Sequence, residues 1–218
     1  MSQMESPVSS NTANKTYRRY TDLPSLIQLL TTNKLTLLDP ATWDDKNDSF
    51  FLFTYKEKRQ LESVLALCFT TASETYHHWR VFSDGPSGVC IHFKSTPLEI
   101  ALRKKNVKFK QVTYLKVDEL RKKTPRITQL PFIKRWPFRA EEEFRALWAS
   151  KDDKCNYLEI PIQLSSIARI TLSPWLHPNL RKNTVAAIKR IPECKSIPIW
   201  RSTLTGNSDW QNYGKKAT

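Results

Sequence analysis

The stretch AEEEFRALW, residues 140–148, sets two carboxylates and a guanidinium close together in the chain. Read as a β-strand, it turns successive side chains to opposite faces, so Glu141, Glu143 and Arg145 share one face and Phe144, Ala146 and Trp148 the other. Such a row has two readings. It is either a solvated ladder of cross-strand pairs, worth from a few tenths to about 1 kcal/mol when exposed, or the acidic end of an active site.

Other residue groups carry weaker chemical signals. TWDDKNDSF supplies Asp44, Asp45 and Asp48, hard oxygen ligands that a divalent cation could use if they converged. The same residues serve equally as Asx turns that hold a loop. A metal-dependent nuclease using these three aspartates with Glu141 and Glu143 is therefore one of the functions to be tested. His77 and His78 are adjacent, and adjacent helical side chains diverge by about 100°, which does not match the i, i+4 pair of a zinc-binding helix. His78 remains a candidate proton shuttle or substrate contact. Trp79 is a candidate stacking surface or a core anchor. The cysteines at 68, 90, 155 and 194 have no CxxC spacing, and reduced thiols are expected.

These residues need a scaffold and a partner. The chain has 218 residues, enough for one domain with a substantial core. Its 35 Lys and Arg against 21 Asp and Glu give a formal charge of +14, which points to a polyanionic partner, most simply nucleic acid. The charge is concentrated between residues 103 and 126, where Lys104, Lys105, Lys108, Lys110, Lys122 and Lys123 are the candidate phosphate contacts. A non-catalytic nucleic-acid-binding module would use this stretch alone. No apolar run is long enough to cross a bilayer, no N-terminal signal segment is evident, and a cytoplasmic location is expected.

The patterning predicts a polar tail over residues 1–16, an α+β domain over 17–205 and a flexible tail over 206–218. YRRYTD reads as a first strand. TDLPSLIQLL reads as a helix capped by Thr21 or Asp22 with Pro24 in its first turn, and LTLLDP as a second strand. ATWDDKNDSF reads as a loop, RQLESVLALCFTT as a helix running into a buried strand, and SETYHHWRVF as a helix capped by Ser73. SGVCIHFK alternates as a strand, and VKFKQVTYL as another with Lys108 and Lys110 on one face. DELRKKTPRITQLPFIKRWPFR reads as a basic linker. Strands follow at EEFRALWAS, NYLEIPIQ, IARITLS and SIPIWRST, with a helix at LRKNTVAAIKRI. The expected fold is a single α+β domain with a mixed, largely antiparallel sheet.

The ordered blocks YRRYT, LTLLDPATWDDKNDSF, LCFTTASETYHHWRVFSDGPSGVCIHF and FIKRWPFRAEEEFRAL resemble a widespread bacterial family of unknown function, over residues 17–147. The match falls on Arg19 and Tyr20, on Asp44, Asp45 and Asp48, on Trp79, and on Glu141, Glu143 and Arg145. Asp44 stands where that family commonly has Asn, and Lys46 where it has Pro. More distantly, the block order is similar to that of mono-ADP-ribosyltransferases. That resemblance implies an NAD-dependent transferase in which Arg19, Tyr20 and Trp79 hold NAD, Glu143 stabilises the cation formed as nicotinamide leaves, and Glu141 activates the acceptor. It also implies a toxin or phage-defence effector, which the basic surface would direct to nucleic acid or a nucleic-acid-bound protein; no bound metal is expected.

Overall fold

The structure, a computed structural model, describes residues 16–217; the predicted N-terminal tail lies outside the described residues except for Thr16. Strand β1 (Thr16–Asp22) runs directly into helix α1 (Leu23–Thr32). Asp22 caps α1 by accepting the Ser25 amide at 2.7 Å, and Asn33 ends it in the left-handed region at φ 56°. Leu26, Leu29 and Leu30 turn inward on the helical period. Asp22→Ala should lower stability by about 1 kcal/mol, read as a shifted denaturation midpoint with an unchanged slope.

Strand β2 (Lys34–Leu38) leads to a 3-10 turn at 40–42 and then to helix α2 (Lys46–Lys58). Here the sequence reading is corrected, because most of the Asp-rich loop and the residues after it are helical. Asp45 accepts the amides of Asn47 and Asp48 and so starts the helix. Its inward residues are Asp48, Leu52 and Tyr55, while Phe50 and Phe53 are exposed. Apolar residues on both sides erased the helical period.

Strand β3 (Ser63–Thr70) is buried almost throughout, as its continuous apolar run requires. Helix α3 (Tyr76–Phe82) is capped by Thr75 rather than Ser73, the Thr75 hydroxyl accepting the His78 amide at 3.1 Å. Strand β4 (Gly88–Lys94) has no solvated face except at Lys94, because Val89, Ile91 and Phe93 join the main core on one face and Cys90 packs with Tyr20 and Trp79 on the other. Helix α4 (Ser95–Lys104) follows. The run VKFKQVTYL is two strands, β5 (Lys108–Gln111) and β6 (Thr113–Leu115), in different sheets. The supposed linker is structured: it forms helix α5 (Val117–Lys122), a 3-10 turn at 127–132, strand β7 (Ile133–Arg135) and a 3-10 turn at 136–141. Leu130, Pro131 and Lys134 in it are buried.

The rest comprises β8 (Glu143–Ser150), β9 (Tyr157–Pro161), β10 (Ile167–Leu172), α6 (Pro178–Arg190), β11 (Ile199–Arg201) and α7 (Ser208–Lys215). Helix α7 thus occupies most of the expected C-terminal tail. The main sheet runs β11-β10-β4-β1-β3-β2-β9, with β8 on β3 and β5 on β8. Its pairs are antiparallel except β10 with β11, and β6 pairs with β7 in parallel. The fold is a single α+β domain with a mixed, mostly antiparallel sheet, and no described helix is long and apolar enough to cross a membrane. Its main core unites α1 and α4 with one sheet face through Leu26, Leu30, Leu98, Leu102, Phe69 and Phe93.

One feature of the sheet positions the site. Strands β1 and β4 pair over seven residues and β3 and β8 over eight, but β1 meets β3 only at Arg18 opposite Thr70. Two well-zipped halves are therefore joined by one bridge.

Candidate active site

Glu143 lies opposite Thr70, and Arg145 opposite Cys68, on the face of β3 and β8 away from the main core. Glu143 and Arg145 share that face by strand alternation, as expected. Glu141 joins them by a different route. It ends the 136–141 turn, and Glu142 then takes the left-handed conformation at φ 43° before the strand begins. This reversal returns Glu141 towards Glu143 and leaves Glu142 exposed, its carboxylate accepting the Thr71 hydroxyl at 3.3 Å.

Arg145 is fully buried and all five of its N–H groups have an acceptor. Nε donates to Glu143 Oε1 at 2.7 Å and Nη2 to Glu143 Oε2 at 3.0 Å. Nη1 and Nη2 grip Asp48 Oδ1 and Oδ2 at 2.8 and 2.6 Å, and Nη1 also reaches the Pro131 carbonyl at 2.9 Å. The guanidinium stands 5.0 Å from the Trp43 ring centre. Lys134 closes the group, its Nζ lying 2.6 Å from Glu141 Oε2, 3.4 Å from Glu143 Oε2 and 3.9 Å from Asp48 Oδ2. Asp48 joins Glu141 and Glu143 as the sequence allowed, though through Arg145 and Lys134 rather than a shared cation, whereas Lys134, read as part of a linker, was not visible as a partner of the acids. The lysine's place in FIKRWPF, seven residues before Glu141, was the available signal.

The electrostatics separate the two glutamates. Burial raises the Glu143 carboxyl, but the charge and hydrogen bonds of Arg145, aided by Lys134, overcome it and hold the pKa down to about 2. A carboxylate so held is a poor base. Burial pushes the Glu141 carboxyl above the usual range, against the pull of Lys134. Its Oε1 faces the half-exposed His77, with Nε2 at 4.0 Å. Asp48, Glu141 and Glu143 set three carboxylates against the two cations Lys134 and Arg145, so with all three ionised the buried group has one negative charge in excess, and burial, with the neighbouring carboxylates, pushes the Asp48 and Glu141 carboxyls up.

The Glu141 main chain is also fixed. Its carbonyl accepts the Thr70 hydroxyl, and His78 Nε2 approaches it at 3.4 Å. His78 stacks on Tyr20 with ring centres 5.2 Å apart, and Tyr20 meets Trp79 edge-on at 5.1 Å. Trp79 is 0 % exposed and donates its indole N–H to Glu74 at 2.7 Å, so in this conformation it has no open ring face. Arg19 alternates to the face opposite Arg18 and Tyr20; burial lowers its pKa to about 10, and its Nε is buried without a hydrogen-bond partner. Arg18, by contrast, stands in register with Thr70 and Glu143 and donates to the carbonyls of Thr71 and Ala72 at 3.0 and 2.6 Å.

Asp44 is exposed and Asp45 caps α2, so neither joins Asp48 in the cluster. The space between Asp48, Glu141 and Glu143 is filled by the Lys134 ammonium and the Arg145 guanidinium. Among the described residues no group of three or more His, Cys, Asp or Glu has metal-site geometry. The basic candidates Lys104, Lys105, Lys108, Lys110, Lys122 and Lys123 are all exposed. Lys110 pairs with Arg145 across β5 and β8, which sets Lys108 and Lys110 on the face of the acids.

His92 of β4 stands between Arg18 and Arg169. Burial, with the charges of Arg169 and Arg18, lowers its pKa to about 3. The folded state thus excludes a proton that the unfolded chain accepts below pH 6.5. Stability should fall by up to about 1.4 kcal/mol per pH unit as pH drops from about 6.5 to 3. Chemical denaturation at a series of pH values should show this slope, and His92→Gln should flatten it.

No family model matches the chain, and no curated protein does. Solved structures of DarT from Thermus sp. 2.9 are similar at low identity. The complex with carba-NAD+ is 11% identical, covering 90% of this chain and 97% of that one at a TM-score of 0.43. The complex with ADP-ribosylated ssDNA is 10% identical, covering 90% and 95% at a TM-score of 0.44. Functional assignment therefore rests on the side-chain geometry.

Proposed function

We propose that the chain is an NAD-dependent ADP-ribosyltransferase-like enzyme whose acceptor is nucleic acid or a nucleic-acid-bound protein. The observation that carries this reading is the surplus negative charge of the buried cluster, borne by Glu141 beside the single bridge between the two halves of the sheet. A site with one excess carboxylate favours a transition state in which positive charge develops, as when nicotinamide leaves a ribosyl carbon. NAD, as the consumed substrate, would supply the ADP-ribosyl group and nicotinamide as leaving group.

Within this reading Glu141 is the base that takes the acceptor's proton, and half-exposed His77 passes it to solvent. Glu143 is a positioning residue, since its oxygens are occupied by Arg145 and Lys134. Arg18, rather than Arg19, is assigned to the phosphates because it shares the face of Thr70 and Glu143. Tyr20 and Trp79 act by holding His78 under the Glu141 carbonyl. The exposed lysines at 104, 105, 108, 110, 122 and 123 guide the acceptor.

The test is incubation of the purified chain with NAD labelled in both halves, in the presence of single- and double-stranded oligonucleotides and of nucleic-acid-binding proteins. Release of nicotinamide with transfer of the other label to an acceptor is the expected result. Folded protein that neither cleaves NAD nor labels any acceptor overturns the reading. Binding of oligonucleotide without NAD cleavage, lost on reversing Lys108 and Lys110, would assign the binding-module alternative.

A further inference from the structure

A second row of chemistry lies on the other half of the sheet. Register puts Arg169 of β10 opposite His92 of β4, and His92 opposite Arg18 of β1, so the three side chains stand in line on one face. Trp200 of β11 is aligned with Thr171, which shares the face of Arg169, and the Arg169 guanidinium sits 4.6 Å from the Trp200 ring centre. Trp200 is 55 % exposed, and Lys94, two residues along β4 from His92, is exposed as well. Thr171 holds His92 through a 3.1 Å contact to Nε2.

The charges here are uncompensated. Neither Arg18 nor Arg169 pairs with a carboxylate among the described residues. Arg169 Nε is buried with no hydrogen-bond partner. An unsatisfied buried donor costs about 1–3 kcal/mol and calls for a ligand, ion or water. A guanidinium backed by an exposed indole matches a phosphate joined to a flat base.

We propose that Arg169, His92 and Trp200 form a binding subsite for a nucleotide: the phosphate on Arg169, the base on Trp200. Arg169, His92, Arg18, Thr70 and Glu143 lie in successive register across five strands. At ~4.8 Å per strand the subsite is about 19 Å from Glu143, within reach of an extended dinucleotide or of a strand threading towards the acids. The subsite concerns binding alone and does not require the transfer reaction, so loss of one does not refute the other.

The test is calorimetric titration of the purified full chain with inorganic pyrophosphate, AMP, NAD and a short 5′-phosphorylated single-stranded oligonucleotide. Arg169→Gln should weaken AMP binding at least tenfold, and Arg169→Lys, which keeps the charge but loses the planar fork, should weaken it by less. Trp200→Ala, at an exposed position, should weaken AMP severalfold and leave pyrophosphate unchanged. Lys58→Gln, the charge control, should change neither. Tighter binding of AMP and NAD than of the oligonucleotide would place a free nucleotide in the subsite; the reverse would place a strand terminus there. The proposal is overturned if none of the four ligands binds at millimolar concentration. It is equally overturned if Trp200→Ala leaves AMP affinity unchanged, or if the control loses as much as Arg169→Gln.

Discussion

Glu141→Gln is expected to lower the rate of ADP-ribosyl transfer to the acceptor by 10²- to 10⁴-fold, the usual contribution of a positioned general base, about 3–5 kcal/mol of barrier. The folding cost should be small. A glutamine oxygen still accepts from Lys134 Nζ, and the substitution removes the one charge the cluster does not compensate. Glu143→Gln should behave in the opposite manner. Its carboxylate receives Arg145 Nε and Nη2 through separate oxygens, and an amide can accept at only one while turning its NH2 towards a cation. Stability should drop before any kinetic effect is measured, whereas Glu142→Gln, at an exposed residue, should leave both quantities near wild type. Thermal melts alongside initial rates separate the three. Wild-type turnover by Glu141→Gln would remove this residue from the chemistry.

Arg145→Met is expected to cost about 3–5 kcal/mol, because it strands two buried carboxylates at once. Measured by denaturant unfolding, the loss should depend on pH in a specific direction. In the wild type Glu143 has its pKa depressed to about 2, so its stabilising contribution is complete above about 4.5 and is lost as pH falls from there to 2. Without Arg145 that carboxyl is pushed up by burial instead. Protonation then favours the folded state, and the deficit of the variant should shrink on acidification from pH 7 to about 4.5. Combining Arg145→Met with Asp48→Asn should cost less than the sum of the two, since the second change removes one of the stranded charges; a coupling of about 0.5–3 kcal/mol is expected. Strict additivity would show that Asp48 and Arg145 do not act as a unit.

Much of the scaffold was legible because local rules decide it. Pro24 in the first turn and Asp22 before it place the start of α1, and the apolar run of β3 has few other solutions. Helix α2 was missed because Phe50 and Phe53 on its outer side obscure the period set by Asp48, Leu52 and Tyr55. The segment 118–139 read as a linker because its proline and basic content signals solvent exposure; its 3-10 turn and short strand nevertheless bury Leu130, Pro131 and Lys134.

That Glu143 and Arg145 share a strand face follows from the residue order alone, since alternation is a property of the backbone. The same order also marked Glu141 as chemically notable, although as a strand residue. Which of the acids is locked and which keeps an open oxygen depends on contacts distant in the chain. Lys134 and Asp48 reach the cluster from segments 9 residues before and 95 residues before Glu143, and their arrival locks Glu143 while leaving one oxygen of Glu141 facing His77. A carboxylate's reactivity depends on burial and on the charges packed against it, and those are set by contacts distant in sequence. A left-handed residue at Glu142, which no periodicity announces, turns the chain so that the two glutamates share Lys134 yet differ in role.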